Sequence, residues 1–195
     1  MKSKIILASA SPRRTELLQQ VGIPHDVIVS NADETVTGNP KEQVEEVAMR
    51  KAITVLESLP VKENTIVIAA DTLVCINDEV LGKPADAAEA FAMLKKLQGT
   101  SHEVYTGVVL LAGAGDNYCF FDMAEVTFRP LSDEMIYAYI ASGEPFDKAG
   151  AYGIQGKGAA LVDRINGDFY TVMGLPISKV CAALAELGYD YWNRR

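Results

Sequence analysis

Strand-length apolar runs alternate with stretches of helical period along this chain, and that order limits its fold more than any other feature. Residues 5–8 form the first run, and residues 12–20 carry a helical pattern stopped by Gly22. A second strand near residues 26–29 leads through Asp33 and Glu34 to a longer helix over about 41–59. Residues 65–70 are apolar almost throughout, as in a strand covered on both faces. The direction then reverses. Asn77-Asp78 sits between two short strand-like runs as a two-residue hairpin turn, and Asp86 with Glu89 three residues on is a capping box opening a helix that Gly99 ends. Two long runs, 103–112 and 118–128, flank Gly113-Ala114-Gly115-Asp116 as a second hairpin, and Ser132 caps a helix running to Ser142. A glycine-rich stretch, 150–158, precedes a third expected hairpin at Asn166-Gly167 and a last helix after Pro176. The expectation is an α/β fold with a mixed, twisted sheet flanked by helices, in one domain over 1–195 without a separable linker.

A chain of 195 residues, 49% apolar and 23% charged, has the composition of a soluble globular protein. It is long enough to bury about 70% of its unfolded surface. No apolar run approaches the roughly 18 residues of a membrane helix, and the short run after Met1-Lys2-Ser3-Lys4 is interrupted by Pro12-Arg13-Arg14, unlike a secretory signal. Cys75, Cys119 and Cys181 are odd in number and far apart, without metal-ligand spacing to His25 or His102. These features predict a cytoplasmic protein with reduced thiols and no membrane partner. A net charge of −8 argues against nucleic acid, whose binding rests on a basic face. Any polyanionic ligand must therefore meet a local group of cations or a metal.

Several residues are hard to explain structurally. Ser11 suits a helix N-cap and Pro12 the first helical position, yet Arg13 and Arg14 then stand at the positive end of the helix dipole, each costing about 0.3 to 1 kcal/mol. A phosphate docked there, on backbone N–H groups and the hydroxyls of Ser9 and Ser11, would reverse that sign. On the second helix Lys51 falls on the apolar stripe of Val44, Val47, Ala48, Ala52 and Val55, either snorkelling from an inward face or reaching a phosphate. Asp71 closes the apolar run 66–70, at the strand end where α/β sheets bind ligands. The register of the Asn77-Asp78 hairpin brings Lys83 near it, as a structural ion pair or as a phosphate contact beside a carboxylate that binds metal or activates water. Asp33-Glu34 beside Asp71 would complete an oxygen-rich site for Mg²⁺ or Mn²⁺. The glycine-rich stretch lacks both the GxxxxGK[ST] and the GxGxxG spacing. With two histidines in unremarkable settings, a Ser-His-Asp or Cys-His scheme has little support.

Taken in order, Leu7-Ala8-Ser9-Ala10-Ser11-Pro12-Arg13-Arg14, Ala70-Asp71-Thr72, Gly82-Lys83-Pro84, residues 147–156 (DKAGAYGIQG) and Val172-Met173-Gly174-Leu175-Pro176 resemble the Maf family of nucleoside triphosphate pyrophosphatases. The resemblance spans nearly the whole chain. It implies two lobes around a cleft, a fold like that of the inosine triphosphate pyrophosphatases, and often a homodimer. It further implies metal-dependent hydrolysis of a nucleoside triphosphate to monophosphate and pyrophosphate. Asp71 matches the family's proposed proton acceptor, and Ser9, Arg14, Glu34, Lys51 and Lys83 match its polar cleft residues. Arg13, Thr72 and Gln155 match the positions that separate its branches, and resemble the branch acting on dTTP and UTP, with modified pyrimidine nucleotides as further candidates. The family's association with septum formation adds a second reading, a nucleotide-sensing regulator acting through a cell-division partner.

Overall fold

A computed structural model describes residues 3–113 and 115–192. Ala114, in the expected turn 113–116, and Met1 and Lys2, at the basic start of the chain, lie outside the described residues. The strands, β1 (Lys4–Leu7), β2 (Asp26–Val27), β3 (Thr65–Ile76), β4 (Glu79–Leu81), β5 (Ser101–Ala112), β6 (Asn117–Phe128) and β7 (Val162–Asn166), follow the order β2-β1-β3-β5-β6-β7, with β4 paired to β3 off that path. The chain divides into two compact units: Met1–Asp71, Thr106–Asp122 and Gly174–Arg195 form the first, and Thr72–Tyr105 with Met123–Met173 the second. Among the described residues no helix is long and apolar enough to cross a membrane.

In the first unit, β1 (Lys4–Leu7) runs parallel to β2 (Asp26–Val27) on one side and to β3 (Thr65–Ile76) on the other, pairing Ile5 with Ile66 and Leu7 with Ile68. Helix α1 (Pro12–Gln20) begins where the sequence places it, with Ser11 at the N-cap position. Ser11 makes no side-chain cap bond, however; its own N–H donates to Ser9 Oγ at 3.2 Å. Helix α2 (Pro40–Ser58) is capped by Asn39, whose side chain accepts from the Glu42 N–H, and the stripe Val44, Val47, Ala48, Ala52 and Val55 is buried. Each buried valine contributes about 2 kcal/mol. Ala48, Ala52 and Val55 meet Ile6, Ala8, Val67, Ala69, Val109 and Leu111 in one apolar cluster. At Gly107 of β5 (Ser101–Ala112) a Cβ would lie 2.4 Å from the backbone carbonyl of Val44. Only glycine lets helix and strand approach this closely, and that contact sets the height of α2. Helix α6 (Ile177–Glu186) completes the unit after Pro176, as expected.

In the second unit the remainder of β3 turns at Asn77-Asp78 into β4 (Glu79–Leu81), pairing Ile76 with Glu79 and Val74 with Leu81. Both turn residues have positive φ, 50° and 64°, as a type I′ hairpin requires. Asp86 caps α3 (Ala87–Leu97) by accepting from the Glu89 N–H at 2.9 Å, and Ser132 caps α4 (Asp133–Ile140) by accepting from Met135. A single apolar cluster joins α3 and α4 to strand residues Val74, Val104, Val126 and Phe128. One expectation fails here. Strand β7 (Val162–Asn166) pairs back onto β6 (Asn117–Phe128), with Glu125 opposite Asn166, but the chain after Gly167 forms a short helix, α5 (Phe169–Met173), instead of the second arm of a hairpin. The Asp168 carboxylate accepts from the Tyr170 N–H at 2.9 Å, a local bond that starts a turn rather than a strand. The glycine-rich stretch is ordered into 3-10 turns, Glu144–Asp147, Ala149–Ala151 and Gly156–Leu161.

Candidate active site

The parallel ladder of β1 and β3 ends at Leu7 and Ile68, and the Ala8 N–H still bonds to the Ile68 carbonyl at 2.8 Å. Ser9 stands just past the carboxyl end of β1, and Asp71 lies three residues beyond the last rung of the parallel ladder on β3, the side of the sheet where open α/β folds take their ligands. Asp71 does not end its strand. It lies within β3, half-buried, between the parallel ladder and the antiparallel hairpin.

Arg14 is 9% exposed, although it sits in the first turn of α1. Its Nε donates to the Gly174 carbonyl at 2.8 Å and its Nη1 to Ser9 Oγ at 3.0 Å. Burial pushes the guanidinium below its ordinary value, and Arg13 adds to that, while the fields of Asp71 and Glu34 oppose it. Arginine stays protonated in proteins, so this is a buried cation at a helix N-terminus, an arrangement that favours an anionic ligand. Gly174, with φ near 100°, was legible as part of a motif but not as the acceptor for Arg14. Arg13 is half-buried beside it.

Lys51 is 8% exposed on the apolar stripe of α2, and its ammonium reaches Asp71 Oδ1 at 2.8 Å and Glu34 Oε1 at 2.9 Å. The cation expected on Asp71 was Lys83. Lys51 makes that ion pair, because close packing of α2 directs its inward lysine to the β3 carboxylate; the β3–β4 register is the expected one, with Ile76 opposite Glu79. Glu34 is largely exposed and is held by its loop. Arg50 donates Nη1 to the carbonyls of Asp33 and Thr35, at 3.2 and 2.9 Å, and pairs with Glu46. Asp33, the other expected acid, accepts from the Thr35 N–H at 2.9 Å, which lowers its pKa and ties it to the turn. Arg50 escaped the sequence reading, since an i,i+4 partner to Glu46 looks like any surface pair.

Among the described residues no three His, Cys, Asp or Glu side chains form a metal cluster. Glu34 and Asp71, bonded to one ammonium, are two hard oxygen donors, the number Mg²⁺ usually takes from protein when phosphate and water supply the rest. The donor set suits a divalent ion that arrives with a phosphate ligand.

Lys83, Thr72 and Gln155 belong to the second unit. Lys83 is exposed, just after the Gly82 carbonyl that accepts from the Gly150 N–H at 3.0 Å, so its segment is joined to the glycine-rich one. Thr72 is half-buried on β3, and Gln155 is exposed at the start of the turn Gly156–Leu161.

The family model for Maf-like proteins matches residues 4–187. The chain belongs to the Maf family. Among Maf relatives, the dTTP/UTP pyrophosphatase of Bacillus anthracis is 48% identical over 189 residues, covering 96% of this chain and 97% of the relative. That of Symbiobacterium thermophilum is 50% identical over 192 residues, 97% of each. A solved HAM1 protein from Coxiella burnetii is similar in fold, with a TM-score of 0.50 at 15% identity over 94% of this chain and 99% of that one.

Proposed function

We propose that this chain hydrolyses nucleoside triphosphates, dTTP and UTP above all, to the nucleoside monophosphate and pyrophosphate. One observation carries the reading: two buried cations, Arg14 and Lys51, lie in one unit with Asp71, which stands on β3 just beyond its parallel ladder with β1, in a chain of net charge −8. A protein this acidic gains nothing for its fold by burying an arginine at a helix N-terminus, where the dipole opposes it. A triphosphate tail accounts for the placement. The names carried by the Maf relatives supply the choice of dTTP and UTP.

The chemistry follows from the donors present. Water adds to the α-phosphorus as its bond to the bridging oxygen breaks, pyrophosphate leaves with the electron pair, and the water proton passes to a base. Lys51 occupies Asp71 Oδ1, so the second carboxylate oxygen is the one placed to orient or deprotonate water. Arg14, fixed by Ser9 and the Gly174 carbonyl, and the amino end of α1 neutralise phosphate charge without reorganising. A divalent ion, Mg²⁺ or Mn²⁺, supplies further charge neutralisation when bound, and Glu34 and Asp71 are the side chains that would hold it. Asp71 is thus a candidate for two roles, base and metal ligand. By their match to the family's motifs, Lys83 is assigned to phosphate, and Arg13, Thr72 and Gln155 to base choice.

The test is product analysis. Protein incubated with dTTP and Mg²⁺ is expected to release pyrophosphate, and to release little without metal. Orthophosphate as the first product would instead indicate a γ-phosphatase.

A further inference from the structure

We propose that Glu144 is a positioning residue for nucleobase selection, acting by fixing the segment that presents Gln155; the inference rests on the assignment of Gln155 to the base. Gln155 is the N-cap residue of the 3-10 turn Gly156–Leu161, with φ −107° and ψ 175°, yet its side chain makes no cap bond. The first N–H groups of a helical turn need acceptors, and a capping side chain would normally supply one. Here Glu144 does so from the preceding turn: Lys157 N–H donates to its Oε1 at 3.0 Å and Gly158 N–H to its Oε2 at 3.2 Å. Both carboxylate oxygens are used for one backbone segment. The amide of Gln155 is thereby spared for another partner, while the backbone that follows it is held at two points.

Two further features belong to the same device. Gly156 has φ +62°, and a Cβ there would lie 2.9 Å from Glu144 Oε1, so only glycine admits the carboxylate at this distance. On the other side of Gln155 the Gly153 N–H donates to Tyr139 Oη at 3.1 Å, with Tyr139 4% exposed. Glu144 is itself tied down, its carbonyl accepting from Lys148 Nζ, which also pairs with Asp147. Gln155 is therefore an exposed amide between two clamps. This matters for base choice because a glutamine amide has both a donor and an acceptor, and thymine and cytosine present opposite donor and acceptor patterns at their 4-positions. A glutamine can turn either its oxygen or its NH₂ toward a base, so what the two clamps set is the position from which the Gln155 amide reaches the 4-position, and with it the strength of the bond that each base can make.

The experiment is a double-mutant cycle on the full-length protein, reading the ratio of kcat/KM for dTTP to that for dCTP. Glu144→Gln keeps an acceptor for only one of the two N–H groups. It is expected to lower the ratio about tenfold, mainly through KM for dTTP, with kcat changed by less than about threefold. Gln155→Ala should lower the ratio by itself, and Glu144→Gln in that background should add less than about twofold, because the two act as one unit. Equal losses on both nucleotides, multiplying in the double variant, would make Glu144 a general structural residue and overturn the inference. A ratio left unchanged by Gln155→Ala would sink the assignment of Gln155, and with it this proposal. Should Glu144→Gln fail to fold, Glu144→Asp, which keeps the charge but shortens its reach to the Lys157 and Gly158 N–H groups, takes its place in the same cycle with the same expected coupling.

Discussion

His102 lies 2% exposed in the core of the second unit, with Nε2 2.8 Å from Tyr152 Oη and the rings of Phe128 and Tyr152 packed edge-on against it. Its Nδ1 has no hydrogen-bond partner among the described residues, so a protonated ring would carry an unanswered N–H as well as a buried charge. Burial holds its pKa at about 4, against an ordinary 6.5. Between those values the unfolded chain takes up a proton that the native state refuses, so folding stability rises with pH through this window. The full contribution is present above about pH 6.5 and is lost progressively down to about pH 4. At about 1.36 kcal/mol per unit of pKa difference, the loss is about 2 kcal/mol at pH 5 and roughly 3 kcal/mol at pH 4. Urea unfolding at about pH 7.5 and pH 5 measures it, with His102→Gln as the comparison, since glutamine can still bond to Tyr152 but does not titrate. The native protein should lose about 2 kcal/mol more than the variant between the two pH values. Parallel pH dependences in the two proteins would show that the imidazole is not kept neutral by its surroundings.

Arg14→Lys should cut kcat/KM for dTTP roughly tenfold to a hundredfold, since a lysine cannot reproduce the guanidinium fork that spans Ser9 and Gly174; steady-state kinetics measure this. Asp71→Asn should lower kcat by about a hundredfold or more. A raised Mg²⁺ requirement in that variant marks a metal ligand and an unchanged one marks a base, whereas unchanged turnover would contradict both roles. Gly107→Ala forces a Cβ against the Val44 carbonyl, and should destabilise by about 2 kcal/mol or more in denaturant titration while displacing the helix that carries Lys51.

The parts of the fold legible in sequence are those dictated by local chemistry. Ser11-Pro12 marked the start of α1, Asn77-Asp78 the hairpin register, and Asp86 with Glu89 the start of α3, because caps and turns are decided by a few neighbouring atoms. Lys51 could be seen as an oddity on the α2 stripe for the same reason. Its partner could not. That Lys51 meets Asp71 depends on how closely α2 approaches β5, which Gly107 permits and no periodicity reveals. At Asn166-Gly167 the turn dipeptide pointed to a hairpin, but the Asp168 side chain redirected the backbone into α5. The glycine-rich stretch showed where the backbone could bend without showing that Glu144 and Tyr139 hold it. Residues that act by anchoring backbone, such as Arg50 and Glu144, carry no spacing signature and come to light only in three dimensions.

The group around Arg14, Lys51 and Asp71 is expected to direct water to the α-phosphorus of a nucleoside triphosphate. Hydrolysis of dTTP in ¹⁸O-labelled water with Mg²⁺, followed by mass spectrometry of both products, tests it directly. The label should appear in thymidine monophosphate and be absent from pyrophosphate; label in the pyrophosphate would place the attack at the β-phosphorus and contradict the account.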